Sequence, residues 1–97
     1  TDTKVLSYNL FKEGKTIAEI AKERNMAIVT IEGHLAVFVG NGDIDINKMV
    51  SLEKQFLIKT AASLHGILSH KILKENLPED ISYGEIKMVL ASDKKEN

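Results

Sequence analysis

The sequence predicts an all-α fold, and three observations carry that prediction. Aliphatic residues recur at helical spacing rather than in alternation, as in Ile17, Ile20 and Ala21, or Ile28, Ile31, Leu35 and Phe38. Helix-start signatures open several of these runs: Thr16 with Glu19, Ser51, and Ser82 with Glu85. A single proline, Pro78, stands in the whole chain. The expected architecture is a compact multi-helix domain with an N-terminal trihelical helix-turn-helix unit packed on C-terminal helices.

Ninety-seven residues make one domain, spanning 1–97, with enough chain for a single core. An apolar fraction of 43% is that of a globular protein. With no cysteine there is neither a disulfide frame nor a Cys-ligated zinc site, which accords with a reducing, cytoplasmic setting. No apolar run reaches membrane-spanning length and no basic-then-apolar leader precedes the domain, so no membrane partner is expected. The chain starts without a methionine and enters helix at once, as expected of a fragment of a longer protein.

Thr3 or Asp2 caps a first helix that runs to about Glu13 and ends at Gly14, with Leu6, Leu10 and Phe11 inward and Val5 and Tyr8 at the margins. Thr16 and Glu19 form a capping box at the start of the second helix, whose stripe is Ile17, Ile20 and Ala21. Asn25 follows Arg24 where the chain leaves that helix, and asparagine tolerates the left-handed conformation. Met26 and Ile28 lead into a third helix with Ile28, Ile31, Leu35 and Phe38 on one face. A small Ala21, a turn residue four positions later and Ile31 six beyond it give the helix-turn-helix spacing. The alternative is any two short helices of an α-helical domain.

The third helix has an unusual surface. From Met26 to Ile46 there is no Lys or Arg, and the side opposite Ile31 and Leu35 carries Val29, Gly33, Ala36 and Val37. Such a helix is expected between the trihelical unit and the C-terminal half, with another backbone close to Gly33 and with Thr30, Glu32 and His34 at its edges. The run Gly40–Asp43 is a break that closes a helix, and Asp45 caps a short turn over Asn47 to Val50. A hairpin wing from Ala36–Val39 and Ile44–Ile46 is the alternative. Ser51 caps a long helix with Leu52, Phe56, Leu57, Ala61 and Leu64 inward, and Ile67, Leu68, Ile72 and Leu73 continue an apolar face. Leu77–Pro78 ends that segment. Ser82 and Glu85 open a last helix burying Ile86, Val89 and Leu90, followed by a charged, frayed tail at 92–97.

Several stretches then resemble one family. They are Leu10 through Arg24, Thr30-Ile31-Glu32-Gly33-His34-Leu35 and Gly42-Asp43-Ile44-Asp45-Ile46. The likeness continues through Leu52-Glu53-Lys54-Gln55 and Ile81 to Lys87. Together they are similar to the helix-turn-helix domain at the C-terminus of bacterial RecQ-type ATP-dependent DNA helicases. The resemblance implies an accessory module beyond a helicase core, taking part in unwinding during recombination and repair. It also implies that ATP and magnesium belong to the parent helicase, with no cofactor in this fragment.

Catalytic readings find no constellation here. His65 and His70 are five apart, not the i, i+4 of a helical metal pair, and the serines sit at cap positions. The fragment is expected to be no enzyme by itself. Two functional classes follow. In one, the domain touches DNA through Lys12, Lys15, Lys22 and Arg24 with Thr30 and His34 at the edge of the third helix. In the other, it is a structural or protein-docking module that contacts the rest of the parent helicase or another protein. The net charge of −1 favours docking, whereas topology and resemblance favour DNA.

Overall fold

Asp2 accepts the Lys4 N–H on Oδ1 at 2.7 Å and so opens the first helix, α1 (Thr3–Lys12). Thr16 and Glu19 exchange the two hydrogen bonds of a capping box, 2.8 and 3.1 Å, at the start of α2 (Ile17–Arg24). Asn25 takes the left-handed conformation, φ 55° and ψ 49°, and α3 (Ile28–Asn41) begins three residues later. The turn thus closes as its sequence predicts.

The structure, a computed structural model, describes residues 2–66 and 69–96. The remaining elements are a 3-10 turn over Ile46–Lys48, α4 (Leu52–His65), α5 (His70–Glu75) and α6 (Tyr83–Glu96). No strand occurs among the described residues, so the helical reading of 36–46 holds over the hairpin. α3 passes through Gly40 and closes at Gly42, which has φ 88°, while Asp43 N–H reaches back to Phe38 O at 2.8 Å. Asp45 caps the 3-10 turn through Asn47 N–H at 2.9 Å, and Ser82 and Glu85 form the second capping box.

α3 is the hub. It packs on α1 and α2 on one side and, most extensively, on α6 on the other. Ile31 and Leu35 are fully buried, as are Ile20, Ile58, Leu73, Ile81, Ile86 and Val89 around them. Each such side chain contributes about 1.5–3 kcal/mol by leaving water. The contacts also fix direction. Ser7 meets His34 and Tyr8 stacks on Phe38, while Gly84 meets Glu32 and Ala91 meets Gly40. Partners rise together in number, so α1 and α6 both run along α3 in its own sense.

Several expected placements are corrected. In α1, Ser7 is the fully buried residue and Leu6 is exposed, because Ser7 must reach His34 and Arg24. Val29 and Val37 of α3 are exposed, because α1 and α6 leave a strip of the helix uncovered, and Ile28 is exposed at the first position of the helix. Close helix approach occurs at Gly40, where a Cβ would stand 3.4 Å from Ala91 Cβ, and at Gly84, where it would strike the Glu32 carboxyl. Gly33 faces only the tip of Lys87. In α4, Ala61 is buried, but Leu52, Phe56 and Leu64 point outward at 73, 69 and 75% exposure. The buried face is instead Gln55, Ile58 and Ala61, since Gln55 Nε2 must reach Val50 O and Asn47 Oδ1, 2.9 and 2.8 Å. Ile72 is exposed and Leu73 buried, whereas Ile67 and Leu68 lie outside the described residues. The expected tail at 92–97 coincides up to Glu96 with the end of α6, and Asn97 lies outside the described residues.

Candidate nucleic-acid interface

Arg24 stands at the last turn of α2, where Asn25 then turns the chain away. From there its guanidinium reaches back to α1, donating to Thr3 O and Thr3 Oγ1 at 2.7 Å each and to Ser7 Oγ. Ser7 Oγ also lies 2.8 Å from His34 Nδ1. A guanidinium can only donate, so Ser7 Oγ accepts from Arg24, and a neutral imidazole with Nδ1 accepting lets Ser7 donate its own proton to His34. Burial lowers the His34 pKa, and the positive charges of Arg24 and Lys4 lower it further, with Lys87 acting the same way and Asp2 opposing. Arg24 and His34 are thus a clamp joining α1, α2 and α3.

That clamp changes the expected contact set. His34, placed by its spacing at an edge of the third helix, is 8% exposed and held inside by Ser7. Arg24 is half-buried and engaged with α1. Lys15 pairs with Glu23 at 3.0 Å, and the hydrogen bond to Glu23, then its charge, raises the Lys15 pKa. Lys12 sits over the Tyr8 ring, 4.6 Å from its centroid, on the face away from the Phe38 stack. Lys22 and Thr30 are exposed, with no side-chain partner among the described residues. The structure therefore brings Arg24 and His34 together in a structural contact and leaves Lys12, Lys15, Lys22 and Thr30 dispersed over three helices and the α1–α2 turn.

Two depressions of about 530 and 470 Å³ flank the segment from Asp43 to Lys48. The second is walled by Tyr8, Phe11 and Lys12, but both carry Asp43 and Asp45 beside Lys48, so neither presents a cationic floor. At the other end of α3, burial raises the Glu32 pKa, helped by repulsion from Glu85, while Ser82 Oγ approaches Glu32 Oε2 at 3.5 Å. Glu85 in turn is bound by Lys54 Nζ at 3.1 Å. These carboxylates tie α6 to α3 and α4.

Two cations absent from the expected set lie beside α3. Lys87 Nζ stands over Gly33, 3.4 Å from where a Cβ would be. Lys4 precedes Ser7 by one helical turn, so it lies on the flank of α1 next to α3. Neither position carries a local sequence signal, because both acquire meaning only from helix pairing. No group of three or more His, Cys, Asp or Glu able to hold a metal ion occurs among the described residues. No helix among them is long and apolar enough to cross a membrane.

A family model described as a helix-turn-helix domain matches residues 3–90. No curated protein and no solved structure matches the chain.

Proposed function

The chain belongs to this helix-turn-helix domain family, and on that premise we propose that it is a nucleic-acid-binding accessory domain of a RecQ-like ATP-dependent DNA helicase. One observation carries the nucleic-acid part: the α2–turn–α3 unit, with its capping box and left-handed Asn25, inside a match that covers nearly the whole chain. Helix-turn-helix domains generally bind DNA. The helicase part rests on the likeness of Leu10–Arg24, Thr30–Leu35 and Gly42–Ile46 to such C-terminal domains. In that setting the module adds a weak hold on DNA while ATP and magnesium act elsewhere in the parent protein.

The mode of contact differs from that of a groove-reading domain. α3 offers no Lys or Arg to base edges, and α1 and α6 run along both of its sides. Binding is then phosphate-driven and sequence-independent, with a dissociation constant on the order of 10⁻⁴–10⁻⁶ M at physiological salt. Titration of single-stranded, forked and duplex DNA at increasing salt tests this. Affinity should fall with salt along a shallow slope and show no dependence on sequence. Tight, salt-insensitive or strongly sequence-specific binding would sink the reading.

A second reading is favoured by the outward face of α4, where Leu52, Phe56 and Leu64 stand exposed. In it the domain docks on another part of the parent helicase and leaves DNA alone. It predicts no DNA affinity even at low salt, and loss of the domain's hold on the helicase core in Phe56→Ser with Leu64→Ser.

A further inference from the structure

α3 keeps one strip open between the two helices that run beside it. Val29, Thr30, Gly33 and Val37 project from it within about 100° of one another at 100° per residue. Val29, Thr30 and Val37 are exposed and Gly33 is half-buried. On the α6 side, Lys87 lies over Gly33, and Tyr83 stands four residues earlier on the same flank of α6, 44% exposed. On the α1 side, Ser7–His34 anchors the helix and Lys4 stands one turn before Ser7. Lys4 on the α1 wall and Lys87 on the α6 wall thus flank the middle of α3. Two carboxylates on these helices are engaged elsewhere. Asp2 Oδ1 caps α1, and the Glu32 carboxyl turns under α6 over Gly84.

We propose that this open strip of α3 is a binding site for a single strand of nucleic acid, with Lys4 and Lys87 on its phosphates and Tyr83 stacking on a base. The proposal rests on the nucleic-acid reading above and moves the contact away from the cations at Lys12 to Arg24. Each part of the strip has a matching part of the ligand. Two lysines on opposite walls suit a backbone that passes between them. Gly33 carries no side chain, so a sugar or phosphate can come down onto α3. Val29 and Val37 suit sugar and base faces rather than a second row of phosphates. An exposed aromatic ring one turn from a lysine is the pairing of platform and charge that single-strand binders use, and duplex bases, already stacked, do not need it. The clamp of Arg24, Ser7 and His34 beneath the strip holds the α1 wall in place.

The test measures fluorescence anisotropy of a labelled oligothymidylate and of a mixed-sequence duplex with the whole domain, from low to physiological salt. Lys4→Glu with Lys87→Glu should weaken single-strand binding at least ~10-fold and flatten the log–log salt slope by about 1.4, two phosphates at ~0.7 each. Tyr83→Ala should cost on the order of ten-fold with the single strand and leave duplex binding in place. Lys12→Glu with Lys22→Glu should change affinity less than about two-fold. Circular dichroism of each variant checks folding, and Lys4→Gln with Lys87→Gln replaces the reversal if that pair disturbs the fold. The site is overturned if the Lys12 and Lys22 reversal abolishes binding while the Lys4 and Lys87 variants bind normally. A duplex preference with Tyr83→Ala silent also overturns it. Absence of binding to any DNA at low salt overturns the nucleic-acid reading itself, and the site with it.

Discussion

Ser7 shows how one hydroxyl joins side chains from two other helices. It accepts from Arg24 and, with the imidazole neutral, gives its proton to His34 Nδ1, so protonating the ring would set a second positive charge beside the Arg24 guanidinium. The folded pKa of His34 lies below the ordinary value of about 6.5, with burial the largest cause and the Arg24 charge next. The sign follows from linkage: below about pH 6.5 the unfolded chain takes up this proton before the folded one does. The stability contribution is full above about 6.5 and is lost as pH falls toward the folded value. Urea unfolding at a series of pH values should show stability declining through that window. His34→Gln, which keeps an acceptor for Ser7 but cannot titrate there, should decline less. The capping roles of Thr16, Glu19, Asn25, Ser82 and Glu85 were legible in the sequence because each is settled within three or four residues. Those of Arg24 and His34 were not, because they depend on where α1 crosses, a contact between residues 17 and 27 positions apart.

At the level of elements, α4 carries two apolar stripes and buries the one with the smaller side chains. Leu52, Phe56 and Leu64 define the stronger hydrophobic pattern, yet Ile58 and Ala61 face the core alongside Gln55. Gln55 decides the rotation. Its amide ties the helix to the 3-10 turn through Asn47 and Val50, and turning α4 to bury Phe56 would strand that amide and open the turn. Periodicity alone cannot choose between two stripes when a buried polar group breaks the tie. The expected energetics invert the hydrophobicity ranking. Ile58→Ala should cost about 2–5 kcal/mol through lost burial and a cavity. Phe56→Ser and Leu64→Ser should each fall within about 0.5 kcal/mol, as substitutions at open positions do. Denaturant unfolding of the three variants reads this directly, and a large loss for Phe56→Ser would mean that α4 is packed the other way round.

Across the whole molecule, the trihelical unit and the C-terminal helices share one core through α3. Ile31, Leu35, Ala36 and Val39 belong to the same buried cluster as Ile58, Leu73, Ile86 and Val89, so α3 has no self-sufficient side. A free-standing three-helix unit would put the α6-facing side of α3 into water. Ala36 and Val39 are 2 and 3% exposed with α6 in place, and Glu32 would lose its cover at Gly84. That unit would also be only about 50 residues long, where a lone hydrophobic core is marginal even when its faces are complete. Residues 1–50 expressed alone should therefore be unfolded or molten, with weak far-UV helix signal and collapsed amide dispersion in NMR spectra. The full domain should unfold in a single cooperative transition. Far-UV ellipticity, which reports the helices together, should coincide with tyrosine fluorescence from Tyr8 and Tyr83, whose rings sit on helices at opposite ends of the chain. Separate midpoints, or a folded 1–50 fragment, would show that the helix-turn-helix unit stands by itself and that α6 is an appendage to it.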